Sequence, residues 1–142
     1  FEKNIAKVRA AVGDRPVLRA MHFFDDNARV VEQVAAVREG NLEKFFADVT
    51  ASGDSSWKLL QNVYARSNQE QMAMGIEMSR RFLKGEGAQR VHGGGFAGTI
   101  QAFVPFDILD AFVSGMDAAL GQGACHVLSI RPQGGVEMEV EA

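Results

Sequence analysis

The sequence is poor in cysteine, in net charge and in long apolar runs, and each scarcity excludes a class of protein. Cys125 is the single cysteine among 142 residues, so an internal disulfide is impossible and a reducing cytoplasm is the expected compartment. The formal net charge of -3 gives nucleic acid and anionic membranes no electrostatic reason to bind. Neither an apolar run of about eighteen residues nor a signal-peptide pattern occurs. We therefore expect a cytoplasmic domain without nucleic-acid or membrane partners.

The first half of the chain carries the apolar spacing of amphipathic helices. One helix is predicted to end at Gly13, and a long one to run from Pro16 to about Gly40. Asn41 is predicted to cap the next helix, and the polar segment 52–56 to form a turn. The spacing of three and four residues predicts that the long helix buries one stripe, made of Met21, Phe24, Ala28, Val31 and Ala35.

The second half changes from helical to alternating patterns. A helix capped by Asn68 and closed by Lys84-Gly85 is predicted first. A strand over 99–104 and a helix from Asp107 to Gly121 follow. Two further strands are predicted at Cys125–Ile130 and Val136–Val140. Helices first and strands later indicate one α+β domain over residues 1–142, with a mainly antiparallel sheet of about four strands packed by helices.

The densest chemical signal is a loop between strand patterns, Gly93-Gly94-Gly95-Phe96-Ala97-Gly98. Four glycines in six residues are costly in chain entropy unless the backbone needs positive φ or a close approach. Successive N–H groups in such a loop can form a concave nest for phosphate oxygens. A bulged hairpin turn without a ligand explains the same composition, and the residues alone leave both readings open.

Three familiar nucleotide motifs do not fit the surroundings of this loop. A dinucleotide fingerprint would open a helix, whereas this loop leads into the strand pattern at 99–104. A protein kinase needs a lysine on a later strand and a His-Arg-Asp segment, but the last lysine is Lys84 and no such segment occurs. The Gly-Lys-Ser/Thr of a P-loop is also missing.

Three further segments that carry information about function precede the loop in the sequence. They are Arg19-Ala20-Met21-His22 with Asp26-Asn27 and Arg29-Val30, then Gly40-Asn41-Leu42 with Phe45-Phe46, then Ser52-Gly53-Asp54-Ser55. Together with the loop, they resemble conserved segments of the GHMP kinases, and of galactokinases in particular. The resemblance covers about residues 17 to 104. It departs from the family pattern at His92, Ala97, Asp26 and Gly53, and the missing histidine at position 53 leaves the identity of the sugar open.

The resemblance implies the C-terminal domain of a two-domain enzyme, with a ferredoxin-like fold. Such an enzyme transfers the γ-phosphoryl group of ATP, with Mg²⁺, to a sugar hydroxyl, as in galactose to galactose 1-phosphate. The loop Gly93, Gly94, Gly95, Phe96, Ala97 and Gly98 is then expected beside the ATP phosphates, and Ser52, Asp54, Ser55 and His92 are candidates to line the cleft.

The resemblance also implies a partner and an incomplete site. The catalytic residues and most Mg²⁺ ligands are expected in an N-terminal domain, which would be the partner of this chain. The start at Phe1 within a helical pattern likewise suggests a fragment, expected to be inactive alone. A non-catalytic sensor of sugar and ATP, another GHMP small-molecule kinase and a free-standing ligand-binding domain stay open as alternatives.

Overall fold

Five α-helices and a two-stranded antiparallel sheet form the part of the chain that the computed structural model describes, residues 1–66, 68–96 and 98–137. The helices are α1 (Ile5–Val12), α2 (Asp14–Arg38), α3 (Leu42–Ser55), α4 (Gln71–Leu83) and α5 (Leu109–Leu120), and the strands are β1 (Ala88–Val91) and β2 (Ile100–Phe103). Short 3₁₀ turns lead into α1 and α5, and a π-helical turn at Ser56–Leu60 extends α3. The predicted α+β class is confirmed.

Most predicted helix ends are confirmed, because local chemistry sets them. Gly13 follows α1 with a φ of 82°, and Gly121 follows α5 with a φ of 112°. The side chain of Asn41 accepts a 3.0 Å hydrogen bond from the Lys44 N–H and so caps α3. The prediction at Asn68 is wrong, since α4 begins at Gln71 and Glu70, which precedes it, makes no side-chain cap.

The face of α2 that is buried is mixed, apolar at Val17 and Ala36 and polar at His22, and it is not the predicted apolar stripe, which is therefore wrong. Val17, His22 and Ala36 are its buried residues, whereas Phe24 and Val31 are 54% and 71% exposed. Helix α3 packs against the polar side, where its hydroxyl groups hydrogen-bond to α2. Residue spacing defines an apolar face but does not determine whether another element covers it.

The segment 52–56 is helical, which overturns the predicted turn. Helix α3 continues through Ser55 into the π-helical turn and ends at Gln61, whose φ of 60° is left-handed. Gly53 serves close packing here: a Cβ on it would lie 2.9 Å from the Cβ of Arg90. Small residues in this segment therefore let β1 approach α3. Turns are also rich in glycine and serine, so the composition of the segment alone predicted a turn.

The two strands pair in antiparallel register, with Ala88 opposite Phe103 and Val91 opposite Ile100. Helices α3 and α4 pack on β1. Val63 joins residues of α4 and β1 in one apolar cluster, made of Val63, Met72, Ala73, Ile76 and Val91. A second cluster joins the end of α4 to α5 through Leu83, Phe112 and Met116. The core therefore runs along one face of α4, from Met72 and Ile76 to Leu83. Strand β1 leads out of it into the glycine-rich loop.

The expected sheet of about four strands is wrong for the described residues, which contain two strands, and the ferredoxin-like sheet is therefore not observed there. Cys125–Ile130 forms no ladder, and Leu128 and Ile130 are 87% and 86% exposed. Val136 and Glu137 are also outside any strand, and residues 138–140 lie outside the described part. Alternation gives a segment the pattern of a strand, but a ladder also needs an edge to pair with.

No helix within the described residues is both long enough and apolar enough to cross a lipid bilayer.

Candidate functional site

The glycine-rich loop connects β1 to β2 and projects from the end of the hairpin. The His92 N–H donates to the Thr99 carbonyl at 3.1 Å and extends the ladder by one pair beyond the strands. Gly93 and Gly95 have φ values of 60° and 76°, whereas φ of Gly94 between them is not positive. Alternating signs of φ turn successive N–H groups toward a common concave side, which is the geometry of an anion-binding nest.

The amides in the first part of this loop are available to a ligand. Within the described residues, the N–H groups of Gly93, Gly94 and Gly95 donate to no protein acceptor, and Gly93 and Gly94 are exposed. The Phe96 N–H differs, because it donates to the Asn62 carbonyl at 3.0 Å. Uncommitted amide donors at an exposed loop can bind an oxyanion such as a phosphate group. Gly98 is likewise exposed, and its N–H donates to no protein acceptor within the described residues. Gly93, Gly94 and Gly95 are the consecutive members of this set of uncommitted donors.

Asn62 supports the loop from below, and sequence reasoning missed it. Its side chain is 2% exposed, and its Nδ2 donates to the Gly94 carbonyl at 3.2 Å. A Cβ on Gly95 would lie 2.3 Å from the Asn62 carbonyl oxygen, so only glycine fits there. The sequence marks it only as one of two polar residues, Gln61 and Asn62, between the apolar Leu60 and Val63.

A partly buried polar network joins β1 to α2 and α3. Arg90, three residues before Gly93, donates from Nη1 to the Ser52 hydroxyl at 2.6 Å. That hydroxyl donates to Asp26 Oδ1, also at 2.6 Å, and Asp26 accepts a second bond from Arg29 at 3.1 Å. Ser52 is 1% exposed. The network therefore fixes the strand that carries the loop against α2 and α3.

His22 extends the same polar contact between α2 and α3. Its Nδ1 shares a 2.9 Å hydrogen bond with the Ser55 hydroxyl, and its Nε2 lies 3.8 Å from Asp26 Oδ2. His22 is 9% exposed. A buried histidine with these two neighbours has a packing and hydrogen-bonding role between the helices.

The predicted cleft-lining residues lie in three different settings. Ser52 and Ser55 are buried in the contact between α2, α3 and β1. Asp54 is exposed and pairs with Lys58 at 3.0 Å. His92 is exposed directly beside the loop. Ala97, the fifth residue of the predicted loop set, lies outside the described residues.

The described part of the chain offers little other site chemistry. It holds no group of three or more histidine, cysteine or acidic side chains that could bind a metal ion. Burial, and to a lesser degree the charge of Asp117, raises the pKa of the Cys125 thiol. A raised pKa keeps the thiol protonated at neutral pH and gives no activated thiolate. The glycine-rich loop is therefore the candidate site.

In sequence, the chain is related to part of a sugar kinase. This relative is the galacturonokinase of Arabidopsis thaliana, to which the chain is 36% identical over 104 residues. The alignment covers 70% of this chain and 23% of the relative, so the chain spans about a quarter of the relative's length. No protein-family profile matches the sequence, and no solved structure matches the chain.

Proposed function

We propose that residues 1–142 are the C-terminal domain of a galactokinase-like enzyme that transfers the γ-phosphoryl group of ATP to a sugar hydroxyl. The observation that carries this proposal is the run of uncommitted amides at Gly93, Gly94 and Gly95, held between two antiparallel strands. The relationship to a sugar kinase supports the choice of phosphate as the anion. Phosphoryl transfer depends on positioning and charge stabilisation, and backbone amides supply both.

ATP fits the donors that the loop offers. Its phosphate oxygens carry the charge that three uncommitted N–H groups can stabilise, and the exposed His92 adjoins the loop in sequence. A Mg²⁺ ion would neutralise the β- and γ-oxygens. As the family resemblance implies, the Mg²⁺ ligands and the catalytic groups are proposed to lie in another domain.

Two sugars are the leading candidates for the acceptor. Galactose follows from the family resemblance of the sequence, and galacturonic acid follows from the name of the related plant enzyme. The two differ by a carboxylate in place of the C6 hydroxymethyl group, and either one offers an anomeric hydroxyl to the γ-phosphoryl group. Galactose 1-phosphate or galacturonate 1-phosphate would be the product.

The partner of this domain in the proposal is the N-terminal domain of the same kinase, and the outer face of α2 is the proposed contact. Val30, Val34 and Val37 are 54%, 44% and 56% exposed on that helix. With Phe45 of α3 they line one apolar depression. A contiguous apolar surface of this kind is typical of an interface. The share of the related kinase that this chain does not match, more than three quarters of its length, provides the proposed occupant.

The test is a kinase assay on the full-length protein that contains this chain. We expect ADP release from ATP and Mg²⁺ that depends on galactose or galacturonic acid, and no release with the 1-deoxy analogue of the active sugar. Omitting the sugar controls for simple ATP hydrolysis. A folded protein that releases no ADP with any hexose or hexuronic acid would remove the enzymatic proposal. Binding of ATP without turnover would favour the sensor.

A further inference from the structure

We infer that Asn62 is a positioning residue, which sets the orientation of the Gly94–Gly95 peptide so that the Gly95 N–H faces the ligand. The identity of the ligand in this inference rests on the proposed function, whereas the geometry of the Asn62 contact is independent of it. Asn62 lies outside the loop in sequence, thirty-one residues before Gly93 by numbering. Asn62 belongs neither to the glycine-rich loop nor to the two strands that flank it, so neither of them indicates a role for it in the site.

The local backbone explains how Asn62 reaches the loop. The π-helical turn Ser56–Leu60 widens the end of α3, and Gln61 closes it with an N–H that donates to the Ser56 carbonyl at 2.7 Å. The left-handed φ of Gln61 then turns the chain inward. Insertions of this kind in helices are frequent at functional sites. As a result, Asn62 is buried directly beneath the loop.

Because a peptide unit is planar, the hydrogen bond at the Gly94 carbonyl also determines where the Gly95 N–H points. The described peptides are all trans, so the C=O and N–H of one peptide unit point in opposite directions. Because the Gly94 carbonyl accepts from Asn62 Nδ2 beneath the loop, the Gly95 N–H of the same unit points away from Asn62, toward the exposed side. The next unit is reversed, since its Phe96 N–H donates inward to the Asn62 carbonyl. Asn62 thus holds two successive peptide units in opposite orientations.

The side chain of Asn62 is not optimised for stability, which supports a positioning role. Its Oδ1 is buried and has no hydrogen-bond partner within the described residues. An unpaired buried acceptor is unfavourable for folding. The neighbouring Gly95 is restricted as well, by its φ of 76° and by the Asn62 carbonyl oxygen, which would lie 2.3 Å from any Cβ at that position. The unpaired Oδ1 and the restricted backbone of Gly95 both lie where Asn62 contacts the loop.

The kinetic test compares Asn62→Ala and Asn62→Asp with Ser79→Ala in the full-length protein. Ser79 is fully buried and bonds to Met116 Sδ in the contact between α4 and α5, so it controls for general destabilisation. We expect Asn62→Ala to raise KM for ATP about tenfold through loss of one oriented donor to a charged group. Asn62→Asp should raise it further, because an oxygen then faces the Gly94 carbonyl. KM for the sugar should stay within about twofold. An ATP KM equal to that of Ser79→Ala in both folded variants would overturn the inference.

A second measurement needs neither a variant nor kinase activity. Residue-resolved amide hydrogen exchange on the nucleotide-free protein should show a fast Gly95 amide next to a protected Phe96 amide. Protection of Gly95 without nucleotide would refute the assigned orientation even if the kinase proposal holds. Conversely, a fast Gly95 amide in a protein without kinase activity would leave the orientation intact and remove the proposed function.

Discussion

Replacing Gly94 by alanine separates the two roles that a glycine in this loop can have, folding the chain and admitting a ligand. A Cβ at Gly94 would meet no heavy atom within 4 Å, and its φ is not positive. Alanine is therefore compatible with the folded backbone. Gly95 does not allow the same experiment, because a Cβ there would lie 2.3 Å from the Asn62 oxygen and its φ is 76°.

Gly94→Ala is expected to stabilise the fold and to weaken catalysis. At a position whose backbone accepts alanine, the substitution reduces the entropy of the unfolded chain and stabilises the fold by about 0.4–1 kcal/mol. A methyl group on the exposed side of the loop would displace a phosphate from the adjacent amides. Loss of one hydrogen bond to a charged group costs about 1.5–3 kcal/mol, which corresponds to a fall in kcat/KM for ATP of roughly 10- to 150-fold.

The assay measures kcat/KM for ATP and the thermal midpoint on the same preparation of full-length protein. Gly134→Ala is the matched control, since Gly134 also lacks a positive φ and has open space around its Cβ position, and it is distant from the loop in sequence. We expect Gly94→Ala to keep or slightly raise Tm while catalysis falls, and Gly134→Ala to leave catalysis unchanged. A stable Gly94→Ala protein with unaltered kcat/KM would show that no phosphate approaches these amides.

Two further predictions concern the support of the loop and the outer face of α2. Ser52→Ala removes the hydroxyl between Arg90 and Asp26 and should lower the free energy of unfolding by about 2–3 kcal/mol. A denaturant titration measures this loss, with Ser114→Ala at an exposed position as the control. A loss no larger than that of the control would contradict a structural network. Val34→Asp should destabilise the full-length protein by about 1–3 kcal/mol if another domain buries that face, whereas a neutral effect in the same titration would show that the face is in solvent.

Local chemistry made the helix ends of this chain predictable from its sequence. Asn41 caps α3 through its own side chain, and Gly13 supplies the positive φ that ends α1. The prediction for segment 52–56 was wrong, because glycine and serine have two uses: they form turns, and they allow close packing. Gly53 has the second use, against Arg90 of β1, and that contact spans thirty-seven positions by numbering.

The sheet and the covered face of α2 were less predictable, because both depend on partners distant in sequence. Cys125–Ile130 alternates in the manner of a strand, yet it pairs with no edge within the described residues. The periodicity of α2 marks an apolar side, but α3 packs on the polar side through Ser52 and Ser55. Pattern alone gives the faces of an element, and packing decides which face is buried.

The helical first half, the hairpin strands and the loop at Gly93–Gly98 follow from the order of amino acids alone, since each depends on φ preference, capping or short-range period. The three-dimensional fold was needed to show which loop amides are uncommitted, because that depends on Asn62, a residue brought beneath the loop by a π-helical turn. A hydrogen bond between residues far apart in the chain leaves no periodic trace in one sequence. The direction of a peptide unit, and with it the chemistry of the loop, follows from such a bond.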